Sequence, residues 1–130
     1  MKALFTILLS VSITMGSASH NFFYSIDDVV SAINTGNANQ LSHYFDNRVD
    51  ITLHDKSNSY SSTQAEMILK DFFNSYNVKT FRIIHRGSNN GSEFCIGNLQ
   101  TRNGIFRTTV FMKMRNEKQV LQEIRFEEKE

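Results

Sequence analysis

The residues that could exchange protons with a substrate lie close together in this sequence, at Asp50, His54 and Asp55. General acid–base catalysis needs such groups within hydrogen-bond reach of one reacting atom. Asp50 and His54 are four residues apart in a segment with alternating apolar residues, so on a strand their Cα atoms would be about 13 Å apart. Asp55 begins a polar stretch, where an aspartate is ordinarily a turn residue. The sequence therefore predicts no catalytic residue.

Histidine and glycine patterns give no sign of a metal or a nucleotide. The four histidines, His20, His43, His54 and His85, fall in separate segments, without His-x-x-x-His or Cys-x-x-Cys spacing. The phosphate-binding loop, the dinucleotide-binding glycine pattern and Gly-x-Ser-x-Gly are also missing from the sequence. We therefore predict neither a metal nor a cofactor.

The single cysteine, Cys95, excludes an intramolecular disulfide. It lies between Phe94 and Ile96 in a run typical of a strand. A nucleophilic thiol needs a nearby base and a lowered pKa, whereas an unpaired cysteine is more often a small buried apolar residue. We predict that Cys95 is buried and unreactive.

The N-terminus has the three parts of a secretory leader: Lys2, an apolar run from Ala3 to Met15, and small residues at 16–19. A membrane anchor is the alternative, but a spanning helix needs about 20 apolar residues and this run is shorter. No cysteine follows the run to accept a lipid. The pattern predicts a leader over residues 1–18 and one exported domain over 19–130, either periplasmic or secreted.

Charge excludes another class of partner. The 130-residue chain has a formal net charge of +1, and removal of a leader that contains Lys2 lowers it to zero. A neutral chain has no overall field to attract nucleic acid or an anionic membrane. We expect no nucleic-acid partner and no stable membrane insertion after the leader is removed.

Three segments have helical periodicity. Ser25-x-x-Asp28 is typical of a capping box, and the apolar residues that follow recur three and four apart until Gly36, which suits a left-handed helix end. Asn37 can cap a second, short helix. Thr63-x-x-Glu66 is another capping-box pattern, and it precedes a long helix with one broad apolar face ending at Tyr76.

Apolar residues with a period of two, typical of strands, cover 48–54 and, after Asn77, about 78–87, 92–101, 104–115 and 119–127. Residues 55–62 read as a polar loop. Asn-Gly pairs at 90–91 and 103–104 are strong hairpin signals between the later strands. We predict an α+β fold in which a helical hairpin, one strand and a long helix pack on a four-stranded antiparallel meander.

The alternation within each strand assigns two faces to this meander. The face toward the helices is predicted to carry mostly apolar residues: Phe81, Ile83, His85, Phe94, Ile96, Phe106, Thr108, Val110, Met112, Met114, Val120, Ile124 and Phe126. The outer face is predicted to be charged, with Ile84, Phe111 and Leu121 as its apolar centres.

This order of elements resembles the nuclear transport factor 2-like fold, also called the cystatin-like cone, over about residues 22–127. The segments 26–33, 41–45 and 63–76 support the resemblance. Within that fold, Cys95-Ile96-Gly97-Asn98-Leu99 and Gly104-Ile105-Phe106-Arg107 resemble a small exported bacterial group, the domain-of-unknown-function family 4783. The resemblance implies a curved sheet wrapped around helices, with a pocket between them. The superfamily includes isomerases, dehydratases and proteins that only bind, so the fold does not choose among them.

The pocket implied by this fold would have an apolar wall with a few polar groups, suited to a small hydrophobic ligand. Its predicted lining is Tyr60, Phe72, Phe73, Tyr76, Phe81, His85, Phe106, Thr108 and Met112, with Tyr60 and His85 at the mouth. Core packing would explain the same apolar residues equally well.

The outer face is a second candidate site, because Ile84, Phe111 and Leu121 could pair two copies into a homodimer. Three functions stay open at this point. The leading hypothesis is a non-enzymatic exported binding or accessory domain. A small-molecule isomerase or dehydratase is the second, and an interaction module that uses only the outer sheet face is the third.

Overall fold

The computed structural model of the protein describes residues 26–129, and these form three helices and six strands. In chain order the elements are α1 (Ile26–Asn34), α2 (Ala38–Ser42), β1 (Phe45–Leu53), β2 (Lys56–Ser61), α3 (Ser62–Tyr76), β3 (Val78–Asn89), β4 (Ser92–Thr101), β5 (Gly104–Arg115) and β6 (Lys118–Glu128). The strands make one sheet in the order β2-β1-β6-β5-β4-β3. The predicted leader over 1–18 and the capping residue Ser25 lie outside the described residues.

The helical hairpin turns at Gly36, as predicted. Gly36 has a φ of +64°, and its N–H donates to the carbonyl of Ile33 at 2.9 Å, while the N–H of Asn37 donates to the carbonyl of Ala32 at 2.9 Å. This pair of bonds is the Schellman motif, in which glycine relieves the crowding of a left-handed residue. The Asn37 side chain accepts from the N–H of Gln40 and begins α2.

Helix α3 begins two residues earlier than the sequence pattern predicted. Ser61, not Thr63, is the N-cap: its hydroxyl accepts from the N–H of Gln64 at 3.3 Å, and Gln64 Oε1 accepts from the N–H of Ser61 at 3.3 Å. The prediction was wrong because a strand leads directly into this helix, so the last extended residue, Ser61, is the capping position.

The predicted four-stranded sheet is wrong, because β1 and β2 extend it to six strands. Strand β1 pairs with β6 in parallel, and β2 folds back on β1 through a turn at His54 and Asp55, with φ values of 51° and 63°. The predicted loop over 55–62 had no apolar alternation because β2 is a polar edge strand. An edge strand can pair with its neighbour through backbone hydrogen bonds on one side, and this pairing does not require alternating apolar residues in the sequence.

The four later strands agree with the predicted hairpins. The β3–β4 turn is Asn90-Gly91, with φ values of 48° and 81°, and the β5–β6 turn is Asn116-Glu117, with φ values of 51° and 65°. Two consecutive residues with positive φ are the type I′ turn, whose twist matches that of the strands it joins.

Two β-bulges change which side chains face the helices. Ile84 is an extra residue in β3, and Gln122 is an extra residue in β6. The prediction for His85 is therefore wrong: it lies opposite Ile96 and is exposed on the outer face. The prediction for Leu121 is also wrong, because it lies opposite Met112 and is fully buried. A bulge reverses the alternation beyond it.

Strand β4 also has the opposite orientation to the predicted one. Cys95, Gly97 and Leu99 face the helices, whereas Phe94 and Ile96 are on the outer face and half-buried. Both faces of β4 carry apolar residues, so the alternation alone did not decide between them. The buried core fills the space between the helices and one face of the sheet. None of the helices in residues 26–129 is long and apolar enough to cross a membrane.

Candidate functional site

The space between α3 and the sheet contains a cluster of stacked rings. Phe72 is at its centre: its ring centroid lies 4.5 Å from Phe126, 4.9 Å from Tyr76 and 5.2 Å from Phe106. Tyr76 and Phe106 are edge-to-face at 5.0 Å. These are contact distances for aromatic pairs. Three residues that were predicted to line a cavity, Phe72, Tyr76 and Phe106, therefore contact one another directly.

The other predicted lining residues fall into two groups. The residues Phe73, Phe81, Thr108 and Met112 are buried on the helix-facing side. Tyr60 is half-buried against the core at the edge strand β2. His85 is separated from all of them, since it lies on the outer face with its ring 5.6 Å from that of Phe94. The structure therefore brings together the apolar wall but not the predicted polar mouth.

A polar cluster that the sequence did not predict lies at the end of β1. His54 Nδ1 is 3.7 Å from Glu128 Oε1, and His54 Nε2 is 3.5 Å from the Tyr76 hydroxyl. His54 and Glu128 help to line an open cleft of about 370 Å³. Asp50 lies elsewhere, on the outer face opposite Ser59 and Glu123. No local pattern could reveal this cluster, because its three members come from a turn, a helix and the last strand.

The thiol of Cys95 is buried, as predicted. Burial raises its pKa to about 11, and the nearby Arg86 guanidinium offsets only part of that effect. A thiol with so high a pKa is protonated at neutral pH and is a poor nucleophile. Within residues 26–129, no three histidine, cysteine or acidic side chains are arranged to bind a metal ion.

The outer face of the sheet is the side that the three helices do not cover, and it carries exposed apolar residues. Phe111 is 38% exposed there and Ile84 is 56% exposed. The Arg125 guanidinium lies 5.8 Å from the centre of the Phe111 ring and donates to Glu123 Oε2 at 2.7 Å. That hydrogen bond raises the pKa of Arg125, so its positive charge persists over the Phe111 ring. An exposed aromatic ring flanked by ordered charges is typical of a protein-binding surface.

Comparisons with known families and structures show which proteins this chain resembles. The family profile described as "Domain of unknown function (DUF4783)" matches residues 26–127. A DUF4783 family protein from Bacteroides uniformis has a similar structure, with a TM-score of 0.78 and 32% identity, over 80% of this chain and 96% of that one. A DUF4783 family protein from Bacteroides fragilis gives a TM-score of 0.76 and 33% identity, over 78% and 96% of the two chains.

The fold extends beyond that family. A nuclear transport factor 2-like protein of unknown function from Cytophaga hutchinsonii gives a TM-score of 0.59 at 7% identity, over 80% of this chain and 86% of that one. So low an identity indicates a shared fold and nothing more. A search of curated proteins found no match to this sequence.

Proposed function

We propose that this chain, which belongs to the family described as domain of unknown function DUF4783, is a binding domain that pairs with a second copy through the outer face of its sheet. The observation that carries the proposal is the exposed Phe111 ring, beneath the Arg125 guanidinium, on a face without helices. Ile84 adds a second exposed apolar side chain to that face. Aromatic and arginine side chains are the commonest anchors of protein interfaces.

A second copy is favoured as the partner because of the charges around Phe111. Asp50 and Glu123 lie directly opposite each other on β1 and β6, and like charges in that relation repel. Among residues 26–129, the ion-pair partner of Arg125 is Glu123. Lys113 is exposed on the same face and forms no ion pair with any residue between 26 and 129. A two-fold axis near Phe111 would bring Lys113 of each copy toward the acidic pair of the other.

The proposal is tested by the mass of the protein in solution. We expect wild type to be a dimer at high micromolar concentration and Phe111→Glu to be a monomer, measured by light scattering. Met67→Glu is the matched control, because Met67 is 63% exposed but lies on α3, away from the sheet face. A monomeric wild type, or a Phe111→Glu variant that remains dimeric, contradicts the proposal.

An interior pocket for a small hydrophobic ligand is the competing function, and an isomerase or dehydratase activity would need the same pocket. The close packing of Phe72 with Phe106 and Phe126 weighs against both. Binding of an apolar dye to wild type, together with loss of that binding in a variant that fills the pocket, such as Thr108→Leu, would instead favour the pocket. A dye that does not bind to the native protein supports the outer-face function.

Export is part of the proposal and rests on the leader pattern over residues 1–18. A dimer that forms outside the cytoplasm would have no disulfide between its two chains, since Cys95, the single cysteine in the sequence, is buried. Mass spectrometry of the native protein should give a chain that begins at Ser19. A chain that retains Met1 contradicts export by this route.

A further inference from the structure

A groove on the outer face lies at the end of the sheet away from Phe111. It has a volume of about 300 Å³, and its lining residues are Thr80, Arg82, Asn98, Gln100 and Ile105. Strands β3, β4 and β5 run side by side here, with Arg82 opposite Asn98 and Thr80 opposite Gln100. Ile105 and Phe111 are six residues apart on β5, or about 20 Å along the strand. The groove is therefore distinct from the apolar centre of the proposed dimer.

Each of the two amide side chains in this groove accepts one hydrogen bond at its oxygen. Thr80 Oγ1 donates to Gln100 Oε1 at 3.3 Å, and Lys129 Nζ donates to Asn98 Oδ1 at 3.4 Å. Neither amide nitrogen hydrogen-bonds to another residue in the range 26–129. The guanidinium of Arg82 adds up to five N–H donors. Each amide oxygen keeps one lone pair, but the free N–H groups of Arg82 and the two amides outnumber these acceptors, which favours a ligand that supplies acceptors.

The charge around the groove has the matching sign. Asn98 has Arg82 opposite it on β3, Arg107 opposite it on β5, and the Lys129 ammonium against its oxygen. Arg82 and Arg107 form no ion pair within the described part of the chain. Glu127 lies opposite Arg107 and offsets part of this positive charge. The side chains that line the groove include no carboxylate.

We propose that this groove binds a small molecule through a carboxylate group. The planar guanidinium of Arg82 can donate two parallel hydrogen bonds to a carboxylate, and the amide nitrogens of Asn98 and Gln100 can donate to its remaining lone pairs. Ile105, which is 37% exposed, provides an apolar contact for the carbon skeleton of the ligand. Because the hydrogen bonds from Arg82 are strongest to a negative charge, a neutral amide of the same shape is expected to bind much more weakly.

The test is a titration of the isotope-labelled protein followed by NMR, with glutarate as the ligand and glutaramide as its neutral counterpart of the same shape. We expect glutarate to shift the amide signals of β3, β4 and β5 around Asn98, and glutaramide to leave them unchanged. Arg82→Gln should weaken glutarate binding at least about tenfold, since it removes charge-assisted hydrogen bonds. Lys70→Gln is the control, because it removes a positive charge at an exposed position of α3, away from the sheet face.

Equal shifts with glutaramide, or unchanged affinity in Arg82→Gln, would overturn the proposal. Inorganic phosphate that binds more tightly than glutarate would overturn the assignment to a carboxylate. Arg107→Gln provides the same test if Arg82→Gln lowers the melting temperature. Repeating the titration in Phe111→Glu separates this groove from the proposed dimer. Glutarate binding that persists there supports a site within one chain, and binding that is lost there contradicts it.

Discussion

The two faces of the sheet are built from the same strands, yet they differ in what their side chains contact. On the inner face, the Phe72 ring lies within 5.2 Å of three other ring centres, and the strand residues beneath it are buried. On the outer face, Phe111 has one ring neighbour, Phe94 at 6.3 Å, and the Arg125 guanidinium at 5.8 Å, and it remains 38% exposed. The aromatic rings on the inner face are buried in the folded chain, whereas part of the Phe111 ring is still exposed and can contact a partner.

The polar groups follow the same division. The inner face buries the hydroxyl of Thr108, which donates to the carbonyl of Phe106 two residues away. The outer face has charged rows that are paired incompletely, with Arg125 bonded to Glu123 but Arg82 and Arg107 without an ion pair in residues 26–129. The inner face therefore stabilises the fold, and we expect the outer face to bind partners.

The sharpest test of this difference is the same substitution on both faces. Phe72→Ala should lower the free energy of unfolding by about 3–5 kcal/mol, because it leaves a cavity beneath three rings. Phe111→Ala should lower it by about 1 kcal/mol or less, since the ring is partly in water already. Urea unfolding at a protein concentration low enough to keep the chain monomeric measures both. Similar losses of unfolding free energy for the two variants would contradict the difference between the two faces.

The second test adds a methyl group instead of removing a ring. A Cβ at Gly97 would lie 2.5 Å from the carbonyl oxygen of Arg82 and 2.6 Å from the Phe81 ring. Gly97→Ala should therefore cost about 1–3 kcal/mol of unfolding free energy through overpacking. Ser92→Thr adds a methyl group at an exposed position of the same strand and should be nearly neutral. A neutral Gly97→Ala would mean that the inner face has room to spare.

The third test is a pH dependence of stability due to Cys95, with no effect expected near neutral pH. Its pKa is raised to about 11 in the folded protein from 9.0, so the unfolded chain loses this proton first. The free energy of unfolding should then fall as the pH rises from about 9 to about 11, by up to about 1.4 kcal/mol per pH unit. Urea unfolding across this range in wild type and Cys95→Ala measures it. Identical slopes in the two proteins would show that Cys95 does not contribute.

Local chemistry made much of this fold predictable. Gly36 ends the first helix, and Asn90-Gly91 turns a hairpin, because few other residues adopt positive φ at low cost. The apolar faces of α3 and β5 follow from periods that a helix and a strand impose on neighbouring residues. Burial of Cys95 was predictable from its residue type, since unpaired cysteines are usually buried, whereas the alternation in β4 assigned its neighbours Phe94 and Ile96 to the helix-facing side.

Features that depend on residues far apart in the sequence were not predictable. The bulges at Ile84 and Gln122 exist because paired strands must adjust their registers, and they exposed His85 and buried Leu121. The edge strand β2 is mostly polar and pairs with β1 along its backbone, so it has no apolar alternation to reveal it. The Arg82 groove needs side chains from three strands and the Lys129 ammonium near the C-terminus. The sequence by itself made the three helices, five of the six strands and the hairpin turns predictable. Strand pairing, a property of residues far apart in the chain, decided which side chains meet.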